Sequence, residues 1–88
     1  MQAVAITPDS NHAAVTRLRG WAIHEDGGAV ATVLLKDGAS GAALVIPLEF
    51  AADQSSFVVL PKEDAIPFPD GCYVDESAGS VAGTLFTD

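Results

Sequence analysis

The chain has 88 residues, with four Lys and Arg against twelve Asp and Glu, and a formal net charge of -8. A chain of this size buries about 60% of its unfolded surface on folding, which permits one small core and excludes two domains. A hydrophobic fraction of 49% is too high for an intrinsically disordered chain. The lone Cys72 excludes an internal disulfide and a metal site made of several cysteines.

The acidic charge predicts which partners the chain avoids. Its carboxylates repel phosphate backbones and anionic lipid headgroups, so we expect no nucleic-acid partner and no membrane partner. No apolar stretch approaches the roughly 20 residues that a membrane-spanning helix requires. We therefore expect a soluble acidic domain, and composition alone does not name its function.

The first fourteen residues lack the pattern of a core element. Residues 8–11, Pro-Asp-Ser-Asn, are typical of turns and loops because these residue types fix φ or bond to nearby backbone groups. We predict an extended N-terminal arm over residues 1–14 and a single β domain over residues 15–88. Val4 and Ile6 in the arm have no evident partner in their own chain, and such arms can add a strand to a neighbouring subunit.

A second interpretation of this region is a short helix that begins after Ser10 and ends at Arg19, before Gly20. Ser is a favoured N-cap, and Gly is favoured just past a helix C-terminus. Against this interpretation, Val15 and Thr16 are β-branched, and no apolar stripe recurs at helical spacing. We therefore favour the arm over the helix.

From residue 15 onward, short runs of β-forming residues alternate with turn signals such as Asp37-Gly38. The predicted strands are residues 15–24, 30–36, 44–50, 57–60, 72–75 and 81–86. Short strands with frequent turns and no convincing helix indicate an antiparallel fold. We predict an all-β fold, a single antiparallel β-sandwich or small β-barrel of jelly-roll-like form, with the extended N-terminal arm.

Prolines refine two of these elements. Pro47 cannot donate a backbone hydrogen bond, so the strand over residues 44–50 is expected at a sheet edge or at a bulge. Residues 61–69 contain three of the five prolines, with charged residues between them. Because proline removes ladder donors and stiffens the chain, we predict a loop there that crosses an end of the sheet.

The sequence offers no constellation typical of catalysis. Cys72, His24 and Asp75 suggest a nucleophile, a base and an orienting carboxylate, but any small protein contains such a triple. A free Cys on a strand is more often a small buried hydrophobe, which is the interpretation we favour for Cys72. We expect no enzyme, no catalytic residue, no cofactor and no metal site, although the pairs Glu63-Asp64 and Asp75-Glu76 can attract a weakly held cation.

Five residues are the candidates for an interface. Trp21 lies close to Arg17 and Arg19, two of the four basic residues, and Trp and Arg dominate interface hot spots. If Trp21 is exposed, this stretch is an interface anchor; if it is buried, Trp21 is the largest residue of the core. Val4 and Ile6 of the arm complete the set.

Several short motifs together resemble a family of small β-structured virion proteins of tailed bacteriophages. They include the turn Lys36-Asp37-Gly38, the closing Gly-x-Tyr-Val over residues 71–74 and the Gly-x-Val-x-Gly over residues 79–83. The matching segments are residues 18–21, 34–38, 40–41, 46–48, 51–55, 71–75 and 79–85. The N-terminal arm and the proline-rich loop do not match.

The resemblance implies a function and a location. Proteins of this kind decorate or cement capsids or form head fibres, which implies a non-enzymatic structural role, a homo-oligomer with a trimer favoured, and contact with the major capsid protein or another virion protein. The expected location is the virion, after synthesis in the host cytoplasm. A small core also favours association, because a shared interface buries surface that the monomer leaves exposed. The alternative is a receptor- or glycan-binding module of a phage tail or fibre.

Overall fold

The computed structural model describes all 88 residues, which form nine β-strands and one short 3-10 turn over Lys62–Asp64. It contains no helix long and apolar enough to cross a membrane. The strands are β1 (Gln2–Ala5), β2 (Ser10–His12), β3 (Arg17–Glu25), β4 (Ala31–Asp37), β5 (Leu44–Phe50), β6 (Ser55–Val59), β7 (Ile66–Pro67), β8 (Cys72–Ala78) and β9 (Val81–Thr87).

The strands form two antiparallel sheets. Sheet 1 has the order β1-β9-β3-β6, with the two-residue β7 also paired to β3, and sheet 2 has the order β2-β8-β4-β5. Because no ladder joins the two sheets, the molecule is a β-sandwich and not a closed barrel. The all-β prediction is confirmed.

The connectivity is that of a jelly roll. If the short β7 is set aside, the pairs are β1 with β9, β2 with β8, β3 with β6, and β4 with β5. These pairs are nested, as in one long hairpin, and successive pairs alternate between the two sheets. An eight-stranded double sheet of this kind is the jelly-roll architecture.

The N-terminal segment is not a free arm, and the prediction of one is wrong. Strand β1 pairs with β9 of the same chain, and β2 pairs with β8. The turn predicted around Pro8 is present, with Asp9 at a φ of 54°, and it carries the chain from sheet 1 to sheet 2. Without β1 and β2, the backbone groups at the edges of β9 and β8 would have no partner. These hydrogen bonds and the packing of Val4 and Ile6 against the core hold the segment within its own domain.

The later elements lie where the sequence predicts them, with small shifts of their ends. Strand β5, which contains Pro47, is an edge strand of sheet 2, as expected of a residue without a backbone donor. The proline-rich loop contains the 3-10 turn and β7, and it connects sheet 1 to sheet 2. The start of the alternative helix is occupied instead by β2.

The core lies between the two sheets and combines aliphatic side chains with three aromatic ones. Thirteen apolar residues form one buried cluster, including Trp21 and the fully buried Phe68. The β3 ladder with β9 contains an irregularity between Leu18 and Gly20. Such a bulge changes which face the following side chains occupy, so Trp21 lies on the core side although Arg19, two positions earlier, lies partly in solvent.

Candidate functional site

The three residues of the hypothetical catalytic triple do not come together. Cys72 is fully buried in the core, and burial raises the pKa of its thiol to about 12. Asp75 accepts a hydrogen bond from the Lys36 ammonium at 2.8 Å. His24 lies on the other sheet, with its Nδ1 2.6 Å from Ser55 Oγ. A thiol with a raised pKa carries little thiolate, which is the reactive form.

His12 is a structural residue. Its Nε2 accepts the Thr7 backbone N–H at 2.9 Å, and its Nδ1 lies 3.0 Å from the Cys72 carbonyl oxygen. Because Nε2 acts as an acceptor, Nδ1 carries the proton and donates it to that carbonyl. The buried imidazole therefore connects the turn before β2 to strand β8.

The five predicted interface residues do not form a shared surface. Val4 and Ile6 are partly buried against the core, and Trp21 is buried with its indole N–H donating to Ser56 Oγ at 3.0 Å. Arg17 and Arg19 both bind the Asp88 carboxylate, at 3.3 and 2.8 Å. The Arg19 hydrogen bond is the largest cause of the lowered pKa of Asp88.

Glu25 is a buried carboxylate that holds two loops together. Its oxygens accept backbone N–H groups of Asp53 at 2.8 Å, Gly27 at 2.7 Å and Gly28 at 3.1 Å. The Asp53 hydrogen bond is the main cause that lowers the pKa of Glu25, and burial acts in the opposite direction. The carboxylate thereby ties the β3–β4 turn to the β5–β6 turn.

Glu76 has the opposite environment. One of its carboxylate oxygens, Oε2, is buried without a hydrogen-bond partner. Burial, followed by the charges of Asp9 and Asp26, raises the pKa of this group. No three His, Cys, Asp or Glu side chains converge with the geometry of metal ligands.

The outer face of sheet 2 combines charged and apolar side chains. Outward positions of its central strands include Thr32, Lys36 and Asp75, and Lys36 and Asp75 form an ion pair at 2.8 Å. The edge strands contribute Asn11 and Glu49 to the same side. The same side also carries apolar and aromatic residues, namely Leu34, Val45, Pro47 and Tyr73.

The outer face of sheet 1 differs in kind. One cross-strand row of sheet 1 faces the core and consists of Val4, Leu85, Trp21 and Val58. Because side chains alternate along each strand, the neighbouring positions on both sides of this row point outward. We call this outward surface the apolar face. Its side chains are those of Ala3, Ala5, Ala22, His24, Ser55, Phe57, Val59, Ala82, Thr84 and Phe86.

The apolar face carries no carboxylate and only one titratable group, His24. Its most prominent side chain is Phe57, which is 71% exposed and packs edge-on against Phe86 with ring centroids 6.1 Å apart. Val59 is 47% exposed. Exposed apolar side chains that lie together on one face are typical of a binding surface, whereas isolated ones are ordinary.

A shallow depression lies on the apolar face beside Phe57. Its volume is about 350 Å³, at the lower end of small-ligand pockets. Ala22, Ala82 and the backbone of Gly83 form part of its floor, and His24, Ser55 and Phe57 form part of its wall. Three of the residues that line it, Ala22, Ala82 and Gly83, carry little or no side chain, which leaves this space open.

Sequence reasoning did not find the apolar face. Its signal is present in β6, where Ser55, Phe57 and Val59 alternate with Ser56 and Val58, but both sets contain apolar residues. Only the register with β3 shows which set points outward. No protein-family model, curated protein or solved structure matches the chain. The apolar face is therefore the candidate functional site on its geometry alone, and its chemistry is that of binding by apolar contact.

Proposed function

We propose that the chain is a non-enzymatic structural component of a tailed-bacteriophage virion. It decorates or stabilises the capsid, associates with copies of itself and contacts the major capsid protein or another virion protein. The observation that carries this proposal is the uncharged apolar face on an otherwise strongly acidic domain. A surface of this kind is suited to contact with another protein.

The roles of His12, Glu25 and Cys72 support a structural function. His12 uses both ring nitrogens within the fold, and Glu25 accepts three backbone donors. Cys72 lies in the core, where burial raises the pKa of its thiol to about 12. These groups, which are those most often used for chemistry, are engaged in holding strands and turns together.

The fold adds an argument by analogy. Jelly rolls occur in viral capsid proteins, and also in lectins and other proteins, so the architecture is compatible with a virion component without specifying one. The motifs that resemble phage virion proteins, such as the turn at Lys36-Asp37-Gly38, point in the same direction.

The experiment that tests the proposal looks for the chain in virions. Mass spectrometry of purified particles of the phage that encodes the chain should find it in many copies per particle. Purified chain, added to capsids from a deletion phage, should sediment with them and slow their thermal disruption. Recovery of the chain only from the infected-cell lysate, with no sedimentation with capsids, would refute the proposal.

The alternative, a glycan- or receptor-binding module, has less support. Sugar recognition by stacking uses exposed aromatic rings, and Trp21 is buried with its N–H bonded to Ser56. Phe57 is the one aromatic residue among the exposed large hydrophobic side chains. Binding of glycans on an array by the free chain, in the absence of capsids, would favour this alternative.

A further inference from the structure

We propose that the apolar face is a homodimer interface, in which two copies pair face to face about a two-fold axis. In this dimer, Phe57 of each copy enters the depression on the other. The inference rests on the self-association included in the proposed function, and it adds the surface, the symmetry and the anchoring residue. It does not depend on where in a virion the chain is found.

The outer faces of the two sheets differ in charge. Both belong to antiparallel sheets of one sandwich, and in such sheets the solvent side is normally polar. Sheet 2 carries Lys36, Asp75 and Glu49 on its outer side, next to apolar residues such as the partly exposed Val45. The apolar face of sheet 1 carries no carboxylate, Lys or Arg, and its Phe57, at 71%, is the most exposed of the large hydrophobic side chains. Its outer side therefore resembles the inner side of a sandwich that lacks its second layer.

The distribution of charge makes the apolar face the surface through which two copies can meet with least repulsion. The chain carries a formal net charge of -8, so two copies repel one another through most of their surfaces. The apolar face contains none of the twelve carboxylates. A basic partner would be recognised through carboxylates, which this face lacks, whereas a second apolar face meets it without burying a charge.

The shape of the face is suited to two-fold pairing. In a two-fold dimer the same patch of both copies forms the interface, so this patch must be complementary to itself. A face that contains a projection must therefore also contain a cavity that receives it. Phe57, 71% exposed, is the projection. The depression of about 350 Å³, floored by Ala22, Ala82 and Gly83, is the cavity.

The size of the molecule is sufficient for a stable dimer. The two larger dimensions of the molecule are 34 and 27 Å, and the third is 17 Å. A broad face of these dimensions has a projected area of roughly 700–900 Å², which is the upper limit for the contact and is close to the roughly 800 Å² per partner of a standard interface. Face-to-face packing on the broad side therefore reaches the usual size, whereas contact through the thin side does not.

Measurement of mass in solution tests the dimer. Sedimentation equilibrium and light scattering are applied to the full chain and to three variants, at concentrations from about 1 to 300 µM and at low and high NaCl. Phe57→Asp places a charge on the projection, and Ala82→Arg fills the depression. Val30→Asp is the matched control, because Val30 is 67% exposed but lies outside sheet 1. Thermal unfolding of every variant verifies that it is folded.

The expected result is a dimer for the wild type and for Val30→Asp, and a halved mass for Phe57→Asp and Ala82→Arg. Higher NaCl should tighten the wild-type dimer, because it screens the repulsion between the acidic copies. A wild-type monomer at every concentration would overturn the inference, as would a trimer or an oligomer unaffected by Phe57→Asp and Ala82→Arg. In the last two cases the self-association in the proposed function survives. If the chain is a monomer and Phe57 becomes buried only when capsid protein or a small apolar ligand is added, the face belongs to that occupant. This result would overturn the homodimer.

Discussion

The buried thiol of Cys72 should lower the stability of this protein at alkaline pH. Its side chain is fully buried, and burial raises the pKa of the thiol from an ordinary value of 9.0 to about 12. In the unfolded chain the thiol ionises near its ordinary value. Between these two values the folded state keeps a proton that the unfolded state has lost, so the free energy of unfolding falls as the pH rises.

The size of this effect follows from the difference between the two pKa values. Each pH unit in this interval lowers the free energy of unfolding by about 1.4 kcal/mol. The interval of about three units from 9.0 to about 12 gives a total near 4 kcal/mol, about half of which is lost by pH 10.5. Small domains have unfolding free energies of about 5–15 kcal/mol, so this loss is large.

Urea unfolding at pH 7, 9, 10 and 11 measures the effect, with fluorescence of the single, buried Trp21 as the signal. Cys72→Ala is the control, because it retains every other titrating group, including Tyr73. The stability of the wild type relative to Cys72→Ala should be constant up to about pH 8.5 and then fall by about 1.4 kcal/mol per pH unit. A difference that stays constant up to pH 11 would refute the reasoning.

Three further substitutions, with a fourth as a control, test two carboxylates and one glycine. Glu25→Gln should lower the urea midpoint of unfolding at pH 7. Because hydrogen bonds lower the pKa of Glu25, the difference in stability between the wild type and this variant should shrink as the pH falls below the usual carboxyl range. An equal loss of stability at pH 3 and pH 7 would contradict this reasoning. Glu76→Gln should raise stability at pH 7 by about 0.5–1 kcal/mol, because Oε2 is buried without a partner, and should have no effect near pH 4, as calorimetry at both pH values would show. Gly20→Ala should cost at least about 3 kcal/mol in urea unfolding, since a Cβ there would overlap the Val58 carbonyl group, while Gly41→Ala, with open space around it, should be nearly neutral.

Local patterns were sufficient to predict most strands. Alternation and turn residues gave the position of β5, and the missing N–H of Pro47 correctly placed that strand at an edge. The burial of Cys72 also followed from its residue type. These properties depend on a residue and its immediate neighbours, which is why a sequence reveals them.

The misplaced features depend on contacts between distant residues. The bulge between Leu18 and Gly20 separates Trp21 from the two arginines, although simple alternation would put all three on one side. Strand β1 is only four residues long and becomes recognisable through its partner β9, more than 75 positions away. The apolar face arises from the register of four strands, so no single segment displays it.

The nested pairing of the strands has a consequence for how the chain folds. Among the hydrogen-bonded strand pairs, only β4 and β5, the innermost pair, are consecutive in the chain, whereas Gln2 of the outermost pair must find Thr87. Long loops have to close before such distant pairs contribute, and proteins with this property fold on the millisecond-to-second scale. On the ribosome, β1 remains without its partner until the last strand has emerged. We therefore expect the inner hairpin to form first and β1 to dock last, which leaves the apolar surfaces of sheet 1 exposed to aggregation for longest.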